Sequence, residues 1–101
     1  MHSAEIRVVF RLSPVNAWFI RPLAEPVVTV DGTAVAATWR HGASVQVSPG
    51  PHVVAVSLRY HGTRVALGTA SCTLGVAAGD VRLVTARNGV VNQTPFRLVV
   101  V

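Results

Sequence analysis

Between Ala4 and Leu12 every second residue is apolar: Ile6, Val8, Phe10 and Leu12 fall on one phase, Glu5, Arg7, Val9 and Arg11 on the other. A period of two marks a half-buried β-strand. The stretch from Ser13 to Pro26 breaks this pattern with three prolines and an apolar knot, Trp18-Phe19-Ile20, which reads either as a short strand or as a loop folded over one end of the core. Val27 to Val30 and Thr33 to Trp39 are extended runs on either side of Asp31-Gly32, a pair that favours the type I′ hairpin turn because both central residues take positive φ. A short strand follows at Ala43 to Ser48, with Val45 and Val47 inward, and Pro49-Gly50-Pro51 closes it.

His52 to Tyr60 predicts a second long strand, with Val54, Val56 and Leu58 on one face. Val65 to Val76 is extended but carries Gly68 and Gly75, residues that weaken a strand and mark a bulge or bend. Val81 to Arg87 and Pro95 to Val101 complete about eight strands, with turns at short spacing and no helical period. The expectation is one all-β domain over residues 1–101, a two-sheet antiparallel β-sandwich of immunoglobulin-like type. A barrel is the alternative.

Composition strengthens the β reading. The chain has 21 Val and 13 Ala against 7 Leu and 2 Ile, and β-branched valine fits a pleated sheet. Half of the 101 residues are hydrophobic and 13% are charged, far from the composition of disordered chains. The net charge is +5, and all nine basic residues are arginine. Such a surface attracts polyanions, although a chain rich in Ala, Val, Gly and Arg is also what a GC-rich genome writes. One cysteine, Cys72, forms no disulfide within the chain; it alternates in phase with Ala70, Leu74 and Val76, as a small buried residue does. With no signal-like start and no apolar run of about 20 residues, the expected location is the cytoplasm.

Val30-Asp31-Gly32, then a strand, then Val45-Gln46-Val47-Ser48-Pro49-Gly50-Pro51-His52-Val53-Val54-Ala55-Val56, resembles the PEGA-like class of small β-sandwich modules. In that class a V-D-G hairpin is followed by an apolar strand, a P-G-x-H turn and a valine-rich strand. The likeness covers about a third of the chain. It implies a non-catalytic interaction module and matches His52 to the histidine of the turn; the expectation here is a module standing alone, without lipobox, anchor or partner domain.

Candidate chemistry is sparse. The four carboxylates each have structural employment by pattern: Asp31 and Asp80 in turns, Glu5 beside Arg7 and Arg11, Glu25 between prolines. Paired acid–base groups are therefore not expected. His2, His41, His52 and His61 lack zinc-ligand spacing, and no phosphate-loop, dinucleotide or nucleophile-elbow motif occurs. The expectation is a chain without enzymatic activity, metal or cofactor.

What remains is surface. Val9, Val53, Val99 and Val101 fall on outward phases, and a valine-rich terminal strand is a sticky edge. The leading expectation is therefore a protein-binding or assembly module, a homo-oligomer associating through a sheet face or edge, with Trp18, Phe19, Val99 and Val101 in the contact. The alternative is an anion-binding module in which Arg7, Arg11, Arg59, Arg82 and Arg97 form a cationic face for nucleic acid or acidic lipid.

Overall fold

The computed structural model describes residues 3–12, 23–64, 67–87 and 96–100. Eight strands follow one another: β1 (Ala4–Arg11), β2 (Ala24–Val30), β3 (Thr33–Val35), β4 (Ala43–Val47), β5 (Gly50–Tyr60), β6 (Leu67–Val76), β7 (Val81–Arg87) and β8 (Arg97–Val100). They form two four-stranded sheets. Sheet A has the order β4-β1-β7-β8 and sheet B the order β3-β2-β5-β6. Ile6, Val8 and Phe10 from β1 and Val84 and Ala86 from β7 join Val28, Val54, Val56 and Leu58 of sheet B in a single buried cluster.

The all-β expectation holds, but the arrangement is not wholly antiparallel: β1 and β7 run parallel, which makes sheet A mixed. Parallel neighbours need a long crossover, and here the chain between β1 and β7 builds all of sheet B and β4. Short turns report only on the strands they join, so they carried no information about this pairing.

Local expectations fare unevenly. Asp31 (φ 53°) and Gly32 (φ 81°) both adopt positive φ, as the type I′ turn between β2 and β3 requires. By contrast, Ala24 to Pro26, expected in a loop, belong to β2. Two hydrogen bonds join Asp31 and Val53, Asp31 N–H donating to the Val53 carbonyl at 2.8 Å and Val53 N–H to the Asp31 side-chain carboxylate at 2.8 Å. That fixes the alternation of β2, so the Pro26 nitrogen faces the side where β3 has already ended and no ladder bond is lost.

The run Thr33 to Trp39 stops being strand at Val35. Trp39 instead turns back over the core, its Nε1–H donating to the Ala24 carbonyl at 2.9 Å and its ring meeting Phe10 edge-on at 5.1 Å. Of the two glycines expected to break β6, only Gly68 does so. Gly68 and Thr69 together oppose Ser57, a bulge, whereas the ladder runs unbroken through Gly75.

The turn into β4 packs against β1 so tightly that Gly42 (φ 69°) has no room for a side chain: a Cβ there would lie 1.9 Å from the Val8 carbonyl oxygen. Gly62 has a similar φ of 84° with nothing near it. Gly62→Ala should therefore cost only the left-handed strain of about 1–2 kcal/mol, whereas Gly42→Ala should lose that plus a main-chain clash, more than about 3 kcal/mol. Equal losses for the two in denaturant unfolding would contradict the close approach.

Candidate anion-binding surface

The outer face of sheet A is set by which residues β1 and β7 bury. Ile6, Val8, Val84 and Ala86 are 0–2% exposed, so the intervening residues point away from the core. Cross-strand register then arranges them in rows. Gln46, Glu5 and Val81 make the first row; Ser44, Arg7 and Leu83 the second; Val9, Thr85 and Val99 the third. The fourth is Arg11, Arg87 and Arg97, all exposed.

Three arginines side by side on adjacent strands are unfavourable for folding, because like charges directly opposite repel. Strands lie about 4.8 Å apart, so the row spans about 10 Å, one Debye length at 0.1 M salt, and an approaching anion meets the three charges together. Relief from within the chain is not available. The sequence has four carboxylate side chains, and each is committed elsewhere. Glu5 pairs with Arg7 and accepts hydrogen bonds from Ser44 Oγ at 3.1 Å and Gln46 Nε2 at 3.3 Å. Glu25 is paired with Arg59, whose guanidinium holds the carboxyl below its ordinary pKa. Asp31 binds His52, and Asp80 accepts the Ala77 N–H at 3.0 Å within its turn.

Of the five arginines expected to form a cationic face, Arg7, Arg11 and Arg97 share the outer face of sheet A. Arg59 does not: it lies on β5 in the other sheet. Arg82 corrects the phase assigned to β7. It sits beside Ile6 on the core-facing side, at the end of the strand, and its Nη1 reaches the Gly75 carbonyl at 2.9 Å. That strand is apolar on both phases (Val81 and Leu83 against Val84 and Ala86), so its pattern does not say whether Arg82 or Arg87 faces outward. Val99 is 44% exposed on the outer face, and Val53, 45% exposed, lies on sheet B. Trp18, Phe19 and Val101 lie outside the described residues.

A second polar cluster holds turns together. Asp31, in the β2–β3 turn, places Oδ2 2.5 Å from His52 Nδ1, while His52 Nε2 lies 2.6 Å from the Ser48 carbonyl. Both partners are acceptors, so the protonated ring, with hydrogen on both nitrogens, is the form that satisfies both contacts. The Asp31 hydrogen bond, followed by that to Ser48, raises the His52 pKa above its ordinary value; the same contact, with the Val53 N–H, lowers that of Asp31. With both nitrogens occupied, His52 has no site left for general-base work. Among the described residues no group of three or more His, Cys, Asp or Glu could hold a metal ion.

No protein-family model matches the chain, and neither a curated protein nor a solved structure matches it. Among the described residues no helix is long and apolar enough to cross a membrane.

The Asp31–His52 clasp gives a signed pH dependence. Because the folded pKa of His52 is raised, its stabilisation is complete below the ordinary imidazole value of about 6.5 and is lost as pH rises through the folded value. Asp31 acts oppositely: its contribution is present above about 3.9 and disappears as pH falls through its lowered folded value. The thermal midpoint should therefore decline on the alkaline side of 6.5, and His52→Gln should remove that decline. An unchanged slope in the variant would show that His52 is not the titrating group.

Proposed function

We propose that the chain is a non-catalytic interaction module that engages a phosphate-bearing polyanion through Arg11, Arg87 and Arg97 on the outer face of sheet A. The observation that carries this reading is the in-register arginine row with every carboxylate side chain of the chain committed elsewhere. Guanidinium forks suit phosphate oxygens, giving bidentate charge-assisted hydrogen bonds. The contribution of both sheets to one core supports a sandwich of the PEGA-like or immunoglobulin-like kind, a scaffold rigid enough to hold the row in place.

The reading favours a phosphate backbone over stacked bases. Single-strand binders place aromatic rings among their cations, whereas among the described residues the rows of the outer face of sheet A hold no aromatic side chain. Association of two copies through this face is disfavoured by the same charges: Arg7, Arg11, Arg87 and Arg97 against Glu5 leave three net positive charges per copy.

Fluorescence anisotropy with a short DNA duplex, followed across salt concentration, tests the reading. Binding should weaken with salt, and replacing Arg11, Arg87 and Arg97 together by Gln should make the log–log slope shallower by about 2.7, as loss of three phosphate contacts requires. Vesicles containing phosphatidylserine form a parallel arm; binding there and not to duplex would place the phosphates in a lipid surface. Binding to neither, or a slope unchanged in the triple variant, would overturn the proposal.

The row also predicts a trade of stability against binding. Removing the middle charge by Arg87→Thr should stabilise the fold at low salt by about 0.5 kcal/mol while weakening polyanion binding. A variant that binds as tightly as the parent would make the row an ordinary solvated face.

A further inference from the structure

Sheet A ends in β4 and β8, sheet B in β3 and β6. Three of these edge strands are short, at five, four and three residues, but β6 has ten, Leu-Gly-Thr-Ala-Ser-Cys-Thr-Leu-Gly-Val, with no charge and no proline. Long edges normally carry such safeguards, because their unpaired N–H and C=O groups are templates for another strand.

Which groups are unpaired follows from the hydrogen bonds of β5. Val53 turns both its N–H and its C=O toward Asp31, away from β6, so Thr73 opposite it turns its own pair away from β5. By the period of two, Ser71 and Gly75 do likewise. At Gly75 the outward carbonyl accepts from Arg82, which confirms the direction and closes that end of the edge. Ser71 and Thr73 are left, both exposed, and no described strand is hydrogen-bonded to this side of β6.

We propose that β6 pairs antiparallel with the β6 of a second copy about a two-fold axis at Cys72. In that register Ser71 of each copy exchanges two hydrogen bonds with Thr73 of the other, and the carbonyl held by Arg82 is not needed. Edge pairing of this kind joins sheets through main-chain groups, and two-fold association is the commonest closed form. The contact brings together the uncharged stretch of a chain that carries +5, so it avoids the repulsion that opposes meeting through sheet A. It is independent of the polyanion reading.

The register makes Cys72 its own reporter. Two residues facing each other in a non-hydrogen-bonded antiparallel pair have Cα atoms about 4.5 Å apart, within the range of about 4.4–6.8 Å that a disulfide spans. In the presence of diamide, two Cys72 thiols would give up two protons and two electrons to the reagent and form one S–S bond between copies. An isolated folded monomer should do the opposite and react more slowly than the unfolded chain, because burial raises the Cys72 thiol pKa and leaves less thiolate.

The experiment is diamide treatment of the whole chain, folded and in urea, read on non-reducing gels. Dimer should form faster in the folded protein, on the order of tenfold, since pairing raises the effective thiol concentration. Thr73→Pro removes an N–H that the monomer does not use and should abolish the acceleration without shifting the thermal midpoint. Thr73→Arg, which places a charge on an exposed position, should do the same and serves if the proline variant does not fold. Cross-linking no faster than in urea, or acceleration that survives in a folded Thr73 variant, would overturn the pairing.

Discussion

In sheet A the parallel register of β1 against β7 decides two things at once. It sets Val8 beside Val84 and Phe10 beside Ala86 on the buried side, where apolar area leaves water and stabilises the fold. The same offset places Arg11 beside Arg87 on the other side, and the pairing of β7 with β8 adds Arg97. A slip of one residue would turn each strand over, exposing the valines and burying the arginines, so the core enforces the cationic row. The row is the surface consequence of a register that the interior cannot give up.

Sheet B is tied by polar groups where sheet A is tied by packing. Asp31 bonds the Val53 N–H and the His52 ring, and His52 in turn bonds the Ser48 carbonyl. One histidine ring thus ties the β2–β3 turn to the chain entering β5. Those contacts also fix the alternation of β5, and through it the direction in which β6 presents its free main-chain groups. The two surfaces then divide by chemistry: a charged face suited to an anion, and an uncharged edge suited to another strand.

The legible parts of the sequence were those where one local rule spoke alone. The clean alternation of β1 gave its buried face, Asp-Gly gave the hairpin, and Gly68 gave the bulge. Where two phases were both apolar, as in β7, pattern could not choose, and Arg82 and Arg87 changed places. The pairing of β1 with β7 was beyond reach for another reason, since strands separated by the rest of the chain leave no turn between them to read. Asp31 and His52 were each identified as turn residues, but their meeting depends on the β2–β5 register, which no spacing in the sequence encodes.

The central claim is that three arginines act as one site, and the direct measurement is a titration of the isotope-labelled protein with a short DNA duplex, following the arginine Nε–H resonances by NMR. The account predicts that the signals of Arg11, Arg87 and Arg97 move together along one saturation curve, with Arg59 and Arg82 unperturbed because both are engaged within the fold. Shifts spread evenly over all nine arginines, or confined to those outside the row, would contradict it.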